Sequence, residues 1–178
     1  MKTILTLTVL IGGLTGALAQ GTLQFDVNLS GSNEVPPNSS LGFGSGTLTL
    51  SGNSLDYLFS LSETFQNSAQ PTDVTINGPA DPGSPGSLLF DLGAPTFITI
   101  QPPPGGYYSS SGTLNNLTGT EISDLESGLW YVNVFTSSGN YPDGEIRGQI
   151  TPVPEPSALA LLGLGIGGMG VWCHRKRS

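Results

Sequence analysis

The chain has 178 residues and a formal net charge of −8, from thirteen Asp and Glu against five Lys and Arg. Between residues 20 and 152 there are twelve carboxylates and one cation, Arg147. That balance excludes a nucleic-acid binder, because such binding rests on Lys and Arg neutralising phosphates. The sole cysteine is Cys173 and the sole histidine is His174, so the same region has neither a disulfide nor imidazole chemistry.

The chain opens on targeting. Lys2 supplies a basic start, Ile4 to Leu18 an apolar stretch, and Ala17-Leu18-Ala19 a small-residue cleavage site. This is the pattern of a signal peptide over 1–19, cut between Ala19 and Gln20. The length then leaves one domain, 20–151, with a core large enough to hold it without disulfides.

That domain reads as β throughout. Leu23, Phe25, Val27 and Leu29 alternate with polar residues, as in a half-buried strand. Thr47–Leu50 and Leu55–Leu61 are joined through Ser51-Gly52-Asn53-Ser54, which predicts a hairpin. Leu55, Tyr57, Phe59 and Leu61 share its buried face. Shorter strands are predicted at Asp73–Ile76, Ser87–Leu92 and Phe97–Ile100, separated by Asn77-Gly78-Pro79 and Asp81-Pro82-Gly83. The run Pro102-Pro103-Pro104-Gly105-Gly106 reads as an exposed loop. Thr118 and Glu121 form a capping-box pair before a short helix, Glu121–Ser127, with Gly128 just past its end. Leu129–Thr136 is apolar on both faces and so central in a sheet. Glu145–Ile150 alternates, with Ile146 and Ile150 inward. Short strands at close intervals predict an all-β fold, an antiparallel Greek-key-like β-sandwich of about seven to nine strands.

At Thr151 the texture changes. Pro152, Pro154 and Pro156 make a stiff extended linker. Residues 157–173 carry no charge and are rich in Gly and Leu, and His174-Arg175-Lys176-Arg177 follows. Seventeen uncharged residues stand at the lower edge of a membrane span, and the basic tail 174–177 would stay cytoplasmic.

Pro154-Glu155-Pro156, the apolar helix and the basic tail, in that order over 152–178, resemble the PEP-CTERM sorting signal. The resemblance implies processing by an exosortase near the prolines, with the inner membrane as a transient anchor, in bacteria that make exopolysaccharide.

The domain has its own resemblance. Leu29-Ser30-Gly31-Ser32-Asn33-Glu34-Val35-Pro36-Pro37, Asn77-Gly78-Pro79-Ala80, Tyr131 to Thr136 and Gly144-Glu145-Ile146-Arg147-Gly148-Gln149-Ile150 are similar to motifs of the CHRD (chordin-like) domain. The motif residues are Glu34, Pro36, Pro37, Gly78, Pro79, Asn133, Gly144, Glu145, Arg147 and Gly148, with structural or binding roles. This chain departs from the family pattern at Thr75, Asn77 and Phe135, where histidines are usual. Gly144 and Gly148 fit turn and close-packing roles. Arg147 fits a bidentate clamp to Glu34 or Glu145, or a ligand contact.

With no His, Cys or Lys in the domain, Ser-His, Cys-His and copper–zinc chemistry are excluded by inventory. The chain therefore reads as no enzyme and as needing no cofactor. It reads as an exported cell-surface or extracellular-matrix module with exopolysaccharide or surface proteins as partners. Asp73, Asp81 and Asp143 stand in or beside loops and offer oxygens to calcium, which makes a weak Ca²⁺-dependent matrix component a further alternative.

Overall fold

A computed structural model describes residues 21–101 and 105–154, apart from the Gln66 side chain. The expected signal peptide with its Ala19–Gln20 junction, Glu155 and Pro156, and the expected membrane helix and basic tail lie outside the described residues. No helix among the described residues is long and apolar enough to cross a membrane.

Among the described residues, nine strands and one α-helix make the domain. They are β1 (Leu23–Ser30), β2 (Phe43–Ser51), β3 (Ser54–Ser62), β4 (Pro71–Gly78), β5 (Ser87–Asp91), β6 (Thr96–Thr99), β7 (Gly106–Leu114), α1 (Gly119–Glu126), β8 (Tyr131–Thr136) and β9 (Ile146–Pro152). All pairings are antiparallel, in the order β5-β4-β8-β9-β1-β2-β3-β7-β6. The two separate sheets of a sandwich are not formed. Pairing of β1 with β9, from Phe25–Pro152 to Ser30–Arg147, joins both halves into one continuous sheet.

The sheet curls around a single core. Alternation places Phe25, Val27 and Leu29 of β1 inward, with Leu48, Leu55, Phe59, Val74, Val132, Val134, Ile146 and Ile150 beside them. Leu125 of α1 and Trp130 are fully buried against the same cluster. Burial of these side chains, at roughly 1.5–3 kcal/mol each, is the main force closing the curl.

Local chemistry agrees. The β2–β3 hairpin pairs Ser51 with Ser54 around a two-residue turn, and Gly52 takes φ 62° at its first position, which glycine alone adopts freely. The capping box is present: Thr118 Oγ1 accepts from the Glu121 N–H at 3.3 Å, and the Thr118 N–H donates to Glu121 Oε2 at 2.7 Å. The Thr118 N–H, and with it Thr118 Oγ1 at 2.7 Å from the same oxygen, hold the Glu121 carboxyl below its ordinary value. Gly128 follows at φ 71°.

Candidate functional site

The same alternation that fills the core exposes a polar outer face. With Ile146 and Ile150 inward, Arg147, Gln149 and Thr151 of β9 point outward, and Asn28 of β1 stands exposed beside them. Above this face lies an open cleft of about 590 Å³. One wall is the segment Ser32 to Pro37 that follows β1. The other is the Pro82-Gly83 turn between β4 and β5.

Glu34 enters this cleft from the first wall and is only 5 % exposed. Its Oε1 is buried and has no hydrogen-bond partner among the described residues. Burial pushes its pKa up to about 7, opposed by the attraction of Arg147 and by the Val35 backbone, while the Asp143 charge adds to the rise. An acid so placed is half-ionised near neutrality.

Arg147 is held in place rather than free. Its guanidinium lies 3.4 Å over the Tyr131 ring, and Nη2 donates to Ser84 O at 2.7 Å. The Tyr131 hydroxyl accepts from the Gly86 N–H at 3.0 Å, so ring and guanidinium together pin the 80–86 loop. Burial draws the guanidinium below the ordinary arginine value, with Tyr131 and Glu34 opposing. The expected bidentate clamp to Glu34 is not formed, since Glu34 Oε1 is unpartnered; the two act on each other by charge across the cleft.

Glu145 ties a different loop. It is fully buried, and its carboxylate accepts from Ser40 Oγ at 2.6 Å and from Thr136 Oγ1. Its carbonyl accepts from Asn38 Nδ2 at 3.1 Å. Asn133 Nδ2 donates to Asp143 O at 2.8 Å, fixing the turn before β9. Gly144 adopts φ 127°, and a Cβ there would fall 2.1 Å from Asn133 Oδ1. A Cβ on Gly148 would fall 2.4 Å from Asn28 O, so β1 and β9 pair closely only over glycine.

Of the motif residues singled out in the sequence, Glu34, Pro37 and Arg147 meet in the cleft. Pro36 lies in the same segment. Gly78 ends β4, and Pro79 follows it into the loop that Gln149 braces by donating to Ala80 O at 3.1 Å. Asn133, Gly144, Glu145 and Gly148 hold the scaffold around the cleft. Sequence reasoning assigned no site role to Asn28 or Thr151, placed Ser32 and Asn33 only within the Leu29–Pro37 motif, and took Pro82-Gly83 only as a strand break. Alternation on β1 and β9 carries the signal for Asn28 and Thr151; the motif and the strand break mark the loop residues without showing that they converge.

The three positions where the family pattern has histidines also fall together. Thr75 pairs with Asn133, and Asp73 with Phe135, which places residues 75, 77 and 135 on the outer side of neighbouring strands. Here Asn77 Nδ2 donates to Thr75 Oγ1 at 2.8 Å, and no imidazole is present. Beside them, burial and the neighbouring Asp91 carboxylate push Asp73 above the usual carboxylate range. Among the described residues no group of three or more His, Cys, Asp or Glu stands together to hold a metal, and that covers Asp73, Asp81 and Asp143.

The class defined by these features is a curled antiparallel β domain with a polar cleft built on its closing motif. The family model of the CHRD domain matches residues 25–150, and the chain belongs to that family. The model of the PEP-CTERM protein-sorting motif matches residues 152–176, directly after the domain. That motif marks an exported extracellular protein that an exosortase processes at the membrane. No curated protein and no solved structure matches the chain.

Proposed function

We propose that the domain is a non-enzymatic binding module of the cell surface or extracellular matrix, delivered there after transient anchoring in the inner membrane. The observation that carries this reading is the cleft itself. It is lined by the Glu34 carboxyl side chain, amides and hydroxyls over the middle of the sheet, and its lining includes no nucleophile paired with a base. Exopolysaccharide is the partner that the sorting motif favours. A second reading, an adhesive module for surface proteins, draws support from Leu41 and Phe43, which are 70 % and 63 % exposed.

Pull-downs separate the two. Immobilised extracellular polysaccharide from a producing strain should retain the full chain, and surface-protein extract should not compete. Retention by the protein extract alone would favour adhesion. Recovery of the protein only from the cytoplasm would overturn both.

A further inference from the structure

We propose that the cleft between β1, β9, the Ser32–Pro37 segment and the Pro82-Gly83 turn is a binding site for a neutral saccharide. The proposal rests on the binding-module reading above and names its site and ligand class.

Charge selects the class of ligand. Glu34 and Arg147 both line the cleft, so it carries groups of opposite sign. A cationic ligand meets the guanidinium of Arg147. An anionic ligand meets Glu34 and the field of twelve carboxylates against one cation over residues 20–152. A neutral polar ligand meets neither penalty. Glu34 lines the cleft from its first wall, so a ligand seated there meets a carboxyl side chain among the polar groups. A sugar hydroxyl both donates and accepts, so it serves Glu34 whether the side chain is ionised or protonated. Asn28 and Asn33 add exposed amides within reach of neighbouring hydroxyls, and Pro37 and Pro82 offer apolar walls to ring C–H faces.

A peptide strand is disfavoured by the topology. The cleft floor is the β9–β1 pair at the middle of the sheet, where main-chain groups already pair with each other. Strand addition needs a free edge, and the edges are β5 and β6, far along the strand order. The volume of about 590 Å³ lies within the range of small-ligand sites.

Isothermal titration of the full chain, in a zwitterionic detergent free of sugar headgroups, tests this. The probes are maltoheptaose, cellohexaose, mannohexaose and galactohexaose, with oligogalacturonate and a glucosamine hexamer as charged arms. At least one neutral probe should bind, and both charged arms at least tenfold more weakly. Asn28→Trp, at an exposed position on the cleft floor, should abolish that binding, and Glu34→Met should weaken it at least fivefold. Thr47→Trp, exposed on β2, should leave it unchanged. Melting curves show that each variant is folded. Failure of every neutral probe, tighter binding of a charged arm, or full binding by folded Asn28→Trp would overturn the proposal. In those cases retention on whole extracellular polysaccharide would leave the broader binding reading standing, and loss of that retention would remove it too.

Discussion

Glu34 illustrates how one buried acid links stability to pH. Its folded pKa of about 7 lies above the ordinary 4.5, so between those values the folded state keeps a proton that the unfolded state has lost. Stability is therefore full below about pH 4.5 and declines as pH rises toward 7. Glu34→Gln should melt like the native chain at pH 5 and several degrees higher at pH 8; equal melting temperatures at pH 8 would show that Glu34 is not desolvated. Gly148 makes a sharper steric case. Because a Cβ would meet the Asn28 carbonyl at 2.4 Å, Gly148→Ala should cost about 1–3 kcal/mol or more, read by chemical denaturation. Glu145→Ala removes the acceptor for Ser40 and Thr136 inside the fold and should cost at least as much, with the 38–40 loop becoming protease-sensitive.

Among the elements, β1, the β2–β3 hairpin, β8, β9 and α1 were legible because their inward residues obey a simple period or carry a cap. The strand β7, Gly106–Leu114, was not. Its Ser109-Ser110-Ser111 centre shows no apolar alternation, and only its pairing with β3 along Leu55–Ser62 makes it a strand. Long-range pairing of that kind overrides local propensity. The early half of β2, Phe43 to Gly46, was missed for the same reason; its glycines sit against Leu61 and Phe59 of β3. At α1 two substitutions separate capping from propensity. Thr118→Ala should cost about 1 kcal/mol. Gly119→Ala meets nothing within 4 Å and should be neutral or stabilise by up to about 1 kcal/mol. Far-UV melts of both variants check the pair.

At the scale of the whole molecule, the sequence foretold the acidic β domain and its sorting segment, because composition and motif order are local properties. It did not foretell the single curled sheet, which depends on β9 returning to pair with β1 across most of the chain. Nor did it show that the motif residues divide their labour. Glu34 and Arg147 face a cleft, while Glu145, Gly144 and Gly148 pin the loops and strands that shape it. Four of the cleft's eleven lining residues are Asn28, Ser32, Asn33 and Pro82, whose convergence is a product of topology. The domain matters to the cell only where it is delivered, so the most direct test is the intact mass of the protein recovered from the cell surface or medium. The account predicts a chain beginning at Gln20 and ending near Pro154-Glu155-Pro156, with the longer precursor accumulating in a strain lacking exosortase. A surface form that retains residues 157–178, or the same truncated product without exosortase, would contradict it.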